Sequence, residues 1–165
     1  MSGKNVCVVP GVYDPVTNGH IDVIARAAGI FDTVYAAAFE NSAKKTMFTP
    51  KERLDMLQLA CSEICSTAKI IAEAASGLVI DCAKSKNAGF IVRGVRNIAD
   101  FEWEYDIFRV NNKIGGVDTL FFPAKTEHLY ISSTFVREMI IYNRDISDYV
   151  PEKVCEYIKK RRSVK

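Results

Sequence analysis

The sequence predicts a doubly wound α/β domain: a five-stranded parallel sheet with helices on both faces. Three observations predict it. Short β-rich apolar runs alternate with segments of helical period along the whole chain. The 165 residues suit one compact domain, taken as residues 1–165. No internal repeat, low-complexity tract or linker interrupts the alternation.

The elements follow in order. Val6 to Pro10 is an apolar run that reads as the first strand. A helix follows from near Asn18, with Ile21, Ile24, Ala25 and Ala28 at helical spacing. Thr33 to Phe39 is the second strand. Thr49-Pro50-Lys51-Glu52 has the form of a helix start: Thr49 as N-cap, Pro50 in the first helical position, Glu52 closing a capping box. Leu54, Leu57 and Cys61 line one face of that helix. Lys69 to Ala72 is the third strand, Leu78 to Lys86 a short helix and Phe90 to Val92 the fourth strand. Ala99 to Ile114 is a long helix carrying Phe101, Tyr105, Phe108 and Asn112 on one stripe. Thr119 to Phe122 is the fifth strand. A helix over Ser133 to Tyr142 and another opened by Pro151 complete the chain. Parallel strands require right-handed crossovers, and such sheets bind ligands beyond the carboxyl ends of their strands, where strand order reverses. Chemistry is therefore expected in the loops after strands one, two, four and five.

Composition narrows the function. Apolar residues make up 48% and charged residues 25%, and the net charge is only +2, which argues against a general nucleic-acid binder. The basic run Lys159-Lys160-Arg161-Arg162 reads as a solvated helix end that complements the helix dipole. The five cysteines are odd in number and irregularly spaced. Cys61 and Cys65, four apart, would share a helix face, but no further Cys or His completes a zinc site. Reduced, mostly buried thiols are expected, with no secretory leader, no membrane span and a cytoplasmic location.

The loop after the first strand runs Pro10-Gly11-Val12-Tyr13-Asp14-Pro15-Val16-Thr17-Asn18-Gly19-His20. Glycine lets backbone approach a phosphate closely, and the helix start offers free N–H groups to an anion. His20, one of two histidines, falls in the first helical turn within reach of that anion. Elsewhere a lone histidine would read as a surface or satisfied core residue. This strand–Gly-x-Tyr-Asp-Pro-x-Thr-x-Gly-His pattern resembles the signature of HxGH-type nucleotidyltransferases, in a T-x-G-H variant. Four more segments resemble one member family, the phosphopantetheine adenylyltransferases: Lys44-Lys45-x-Met47-Phe48, Arg93-Gly94-Val95-Arg96, Asp100-Phe101-Glu102-x-Glu104, and Ile131-Ser132-Ser133-Thr134-x-Val136-Arg137.

The resemblance implies a Rossmann-like nucleotidyltransferase fold and a reaction of ATP with 4′-phosphopantetheine that gives dephospho-coenzyme A and pyrophosphate. It implies roles for residues as well. His20 would stabilise the transition state, and Lys44 would touch the acceptor phosphate and draw the substrates together. Arg93 would bind the acceptor phosphate, Leu78 and Val79 would line the pantetheine arm, and Val12 would adjoin both substrates. Tyr13, Gly94, Val95, Arg96 and Glu104 would border ATP, as would His128, Leu129, Tyr130, Ile131, Ser132, Ser133 and Thr134. Mg²⁺ would be carried with ATP, and the enzyme would be a homo-oligomer, a hexamer. Plainer readings stand beside these. Lys44 and Lys45 could be solvated, Arg93 could pair with Asp100 or Glu102, Glu104 could face solvent, Leu78 and Val79 could be core, and Ser132 to Thr134 could merely cap a helix. One departure stands out: the family usually has Thr or Ser where this chain has Val12, which offers a backbone N–H but no hydroxyl. A sister nucleotidyltransferase that uses nicotinate mononucleotide or an alcohol phosphate and a non-catalytic nucleotide-binding module are the alternatives.

Overall fold

The computed structural model describes residues 5–40 and 45–163. Its strands are β1 (Val6–Gly11), β2 (Thr33–Phe39), β3 (Lys69–Ala75), β4 (Phe90–Val95) and β5 (Asp118–Pro123). Its helices are α1 (Asn18–Ala28), α2 (Pro50–Cys61), α3 (Val79–Ser85), α4 (Ile98–Gly115), α5 (Ser133–Ile141) and α6 (Glu152–Ser163). All strand pairs are parallel, in the order β3-β2-β1-β4-β5. The chain therefore builds outward from β1 in one direction, returns, and builds outward in the other. The reversal lies between β1 and β4, as the α/β pattern predicts.

Alternation along the central strand feeds two cores. Cys7 and Val9 point to one side with Ile24, Met56, Leu57 and Val154; Val8 points to the other with Ile80, Ala83 and Ile91. The β1–β2 ladder runs from Val6↔Thr33 to Gly11↔Ala38, whereas β1–β4 pairs only Cys7↔Phe90 and Val8↔Ile91. Beyond that point the tie between the strands is a side chain: Arg93 donates to the Pro10 carbonyl at 2.5 Å. The short ladder leaves room for a crevice at the switch point.

Every expected strand and helix forms, with informative differences in their bounds. β3 runs on to Ala75, β4 to Val95, and a 3₁₀ turn absent from the sequence reading spans Thr126–His128. The Thr49 capping box is present: its side chain accepts from Glu52 N–H, and Glu52 accepts from Thr49 N–H. The buried face of α2, however, carries Arg53, Met56, Leu57, Ala60 and Cys61, while Leu54 is only half-buried. Helix α2 stops at Cys61 with Ser62 as its C-cap, so Cys61 and Cys65 do not share a helix face, and Cys65 is exposed. Cys7, Cys61 and Cys155 are buried, and burial pushes the Cys7 and Cys61 thiols up to about 12. The aromatic stripe of α4 lies outside both cores: Phe101 and Tyr105 stack at 5.9 Å and stay exposed, and Phe101 meets Phe121 edge-on at 5.2 Å. Among the described residues no helix is long and apolar enough to cross a membrane.

Burial on α2 sets a direct contrast. Leu57 is fully buried, so Leu57→Ala is expected to cost about 2–5 kcal/mol of stability. Leu54→Ala should cost distinctly less. Chemical denaturation of both variants checks the order; equal losses would contradict the packing of this helix.

Candidate active site

A cleft of about 420 Å³ opens at the carboxyl ends of β1 and β4, walled by the loop after β1, the end of β4, the start of α4 and the start of α5. Its first wall is built by local hydrogen bonding. Thr17 is the N-cap of α1, and its side chain accepts from the His20 N–H. In return the Thr17 backbone N–H donates to Nδ1 of His20 at 3.0 Å. A backbone N–H can only donate, so Nδ1 is the acceptor, and a neutral His20 carries its ring proton on Nε2. Nε2 is the end of the ring left for a ligand. The Tyr13 ring meets His20 edge-on at 5.0 Å. Burial, and then the positive charges of Arg93 and Arg96, push the His20 pKa down to about 4. His20 is therefore a neutral Nε2–H donor across the physiological range.

The same loop is held from several sides. Tyr13 takes a left-handed backbone (φ 51°), unusual for a residue with a side chain. Its hydroxyl donates to the Val9 carbonyl at 2.8 Å, and its ring lies where a Cβ on Gly11 would sit, 2.9 Å from the nearest ring atom. Gly11 thus makes room for Tyr13. The buried carboxylate of Asp14 accepts from Met47 N–H and Phe48 N–H, both at 2.9 Å, which fixes the entry into α2. Arg137 of α5 donates to the Asp14 carbonyl at 2.6 Å and to the Thr134 hydroxyl at 3.0 Å.

The opposite wall is cationic but internally paired. Arg93 at the end of β4 forms a two-pronged ion pair with Glu104 of α4, which is buried. Arg96 pairs with Asp100 at 2.7 Å. The plain sequence reading paired Arg93 with Asp100 or Glu102. The structure gives it Glu104 instead, because Glu104 lies on the inner side of α4 and Asp100 is taken by Arg96. Gly94 approaches α1 so closely that a Cβ would lie 2.7 Å from the Val23 side chain.

Helix α5 supplies the far wall. Ser132 is its N-cap and accepts from Phe135 N–H, while the Ser133 hydroxyl donates to the Pro15 carbonyl at 2.8 Å. The N–H groups of Ser133 and Thr134 open the helix and have no intrahelical acceptor, which suits an anion. His128 lines the cleft with a buried Nδ1 that lacks a partner among the described residues.

Of the residues singled out from sequence, Val12, Tyr13, His20, Arg93, Gly94, Arg96 and Glu104 all line this cleft, as do His128, Ile131, Ser132, Ser133 and Thr134. Val95, Leu129 and Tyr130 do not, and Leu129 and Tyr130 are exposed. Leu78 is also exposed and lines neither cavity. Val79 instead borders a second cavity of about 70 Å³ that adjoins the first through Pro10, Arg93 and Glu104 and reaches Asn111 and Thr119. Lys44 lies outside the described residues, while its neighbour Lys45 lines the cleft. Sequence reasoning named Asp14 and Arg137 within the motifs without giving them a role, and it missed Arg53 altogether. Thr17 with His20 three residues on has the spacing of a capping box, with His in place of Glu or Gln, so that bond was findable. Nothing in the helical pattern marked Arg53.

Comparison with known proteins places this geometry. The family model described as cytidylyltransferase-like matches residues 8–139. The phosphopantetheine adenylyltransferase of Streptomyces coelicolor is 37% identical over 154 residues, covering 93% of this chain and 95% of that protein. Among solved structures, a Plasmodium falciparum nicotinic acid mononucleotide adenylyltransferase complexed with NaAD superposes with a TM-score of 0.72 at 16% identity, over 97% of both chains. A putative nicotinate-nucleotide adenylyltransferase from Vibrio parahaemolyticus gives 0.71 at 18% identity, over 96% of this chain and 93% of that one. At such identities the solved structures share the fold.

The state of His20 is testable by titration. Because its folded pKa lies below the unfolded value of 6.5, the unfolded chain binds more protons between pH 6.5 and about 4, and stability contributed by neutral His20 falls as pH drops through that window. Proton NMR of the His20 ring should show a midpoint near 4; a midpoint at 6 or above would contradict this description of the site.

Proposed function

We propose a reaction for this chain on the ground that it belongs to the cytidylyltransferase-like family and, within it, to the phosphopantetheine adenylyltransferases. It transfers the adenylyl group of ATP to 4′-phosphopantetheine, giving dephospho-coenzyme A and pyrophosphate, a step of coenzyme A biosynthesis. The observation that carries this reading is the cleft at the switch point, where two helix N-termini, a neutral imidazole donor and three arginines face one space beside a smaller cavity.

An oxygen of the acceptor phosphate attacks the α-phosphorus of ATP. The new O–P bond forms as the bond to the β-phosphate oxygen breaks, and pyrophosphate leaves. No side chain becomes covalently attached. Catalysis comes from positioning and from donors aimed at the charge of the crowded phosphorus centre. His20 donates Nε2–H to an oxygen of the α-phosphate without giving up its proton. The opening of α5 receives the β- and γ-phosphates, with adenine towards His128. Arg93 binds the acceptor phosphate, Lys44 draws the substrates together, and the pantetheine arm runs past Val79 into the smaller cavity. There Asn111 and the Thr119 hydroxyl, which has no partner among the described residues, suit its amides. Mg²⁺ would be carried on the ATP phosphates rather than by protein carboxylates, since it prefers phosphate and water oxygens. The cleft carboxylates of Asp14, Asp100 and Glu104 are each engaged by N–H groups or guanidinium. The enzyme works in the cytoplasm.

The chain also assembles with copies of itself, as a hexamer. Trp103, Val110 and Ile114 are exposed apolar side chains on one face of the 18-residue helix α4, and an apolar face of this kind is normally covered.

Mixing the protein with ATP and phosphopantetheine should release pyrophosphate, while nicotinate mononucleotide should not replace the acceptor. His20→Ala should fold and lose about 10²–10³ in kcat, the worth of one transition-state donor. Release with nicotinate mononucleotide alone would overturn the substrate assignment, and a folded, fully active His20→Ala would remove its role. Light scattering should report six times the 18.4 kDa chain mass; a monomer at micromolar concentration would reject the assembly.

A further inference from the structure

The reaction proposed above leaves Arg53 of α2 without a role, although it is only 2% exposed. A buried guanidinium is costly unless paired. Arg53 forms no ion pair among the described residues, and its Nε has no hydrogen-bond partner. Its Nη1 donates to the Val12 carbonyl at 2.6 Å and to the Phe39 carbonyl at 2.9 Å. These carbonyls sit at the carboxyl ends of adjacent strands β1 and β2, at the base of the loops that face the cleft. Asp14, buried 39 residues earlier in the chain, makes the reverse connection: from the β1 loop it grips the backbone N–H groups of Met47 and Phe48. A cation behind the second loop thus holds the first, and an anion in the first holds the second.

The consequence follows from peptide geometry. In a planar trans peptide the carbonyl and the next N–H point in opposite directions. Arg53 draws the Val12 carbonyl towards α2, away from the cleft, so the Tyr13 N–H is turned the other way. That N–H has no acceptor among the described residues, and Tyr13 lines the cleft. Tyr13 also holds a left-handed backbone (φ 51°) that its neighbours must enforce. We propose that Arg53 is a positioning residue for adenylyl transfer: by holding the Val12 carbonyl inward, it presents the Tyr13 N–H to the phosphate chain of ATP. The assignment rests on the ATP reading of the cleft. It gives a buried, otherwise unpaired cation a use that packing alone does not supply, and it places positive charge behind the phosphates.

The test follows the Tyr13 amide by ¹⁵N NMR during titration with ATP and Mg²⁺, beside steady-state kinetics. In the wild type this amide moves downfield and saturates with ATP. In Arg53→Met, of similar length and without charge, the shift is lost and kcat falls on the order of 10²-fold while the acceptor KM is unchanged. Arg53→Lys, whose ammonium still reaches a carbonyl, gives intermediate values of both, and carries the test if Arg53→Met fails to fold. A folded variant with wild-type Tyr13 response and wild-type kcat overturns the assignment, as does a loss of kcat with the Tyr13 response intact. If the wild-type Tyr13 amide ignores ATP while those of Gly19 and Ser133 respond, the role of Arg53 alone is overturned. If no cleft amide responds, the ATP reading falls and takes the Arg53 assignment with it.

Discussion

The hydrogen bond from the Thr17 backbone N–H to Nδ1 of His20 is the contact on which the rest of the cleft depends. It begins α1, and it decides which ring nitrogen faces the ligand. The bond is possible because Thr17 and His20 stand three apart across a helix start, the geometry of a capping box. With Nδ1 occupied by a donor, the ring stays neutral and its single proton lies on Nε2. The surrounding guanidiniums reinforce that state, since protonating His20 beside Arg93 and Arg96 would put like charges together. A cationic cleft and a neutral histidine are thus one arrangement. In the proposed reaction the arginines would attract the phosphates, and the imidazole would donate a directed hydrogen bond without competing for a proton.

The charged groups around this centre are restrained before any ligand arrives. Arg93 is held by Glu104 and Pro10, Arg96 by Asp100, and Arg137 by Asp14 and Thr134. Each guanidinium carries more N–H groups than its partners consume, so it can bind phosphate without first being ordered. That is the economy of a catalyst that works by position: the orientation of donors is set during folding rather than at the moment of reaction. It also explains why two carboxylates, Asp14 and Glu104, can be buried beside a cationic cleft. Asp14 is spent on backbone N–H groups and Glu104 on Arg93, so each braces the frame.

The order of the elements was legible because strand and helix periods alternate cleanly, and the cleft was legible because its residues crowd at strand ends. Sequence reading went astray where burial departs from the average. On α2 the apolar spacing pointed to Leu54, yet the inward position belongs to Arg53, which a hydrophobic pattern necessarily scores as outside. On α4 the stripe of Phe101 and Tyr105 has the spacing of a core face and remains exposed in the single chain, while the buried side chain of that helix is Glu104. Leu129 and Tyr130 adjoin cleft residues in the chain but turn outward, because the Thr126–His128 turn brings His128 inward before them. Partner choice was also hidden. That Arg93 takes Glu104 rather than Asp100 depends on which side of α4 faces β4, which local sequence does not state.

In the proposed reaction the adenylyl group passes directly between substrates held in one cleft, with no covalent enzyme intermediate. The most direct test is the stereochemical course at the α-phosphorus, followed with ATP made chiral there by sulfur substitution. A single in-line displacement inverts the configuration, and inversion is the result expected here. Net retention would require two successive displacements and an adenylylated side chain, and would contradict the account.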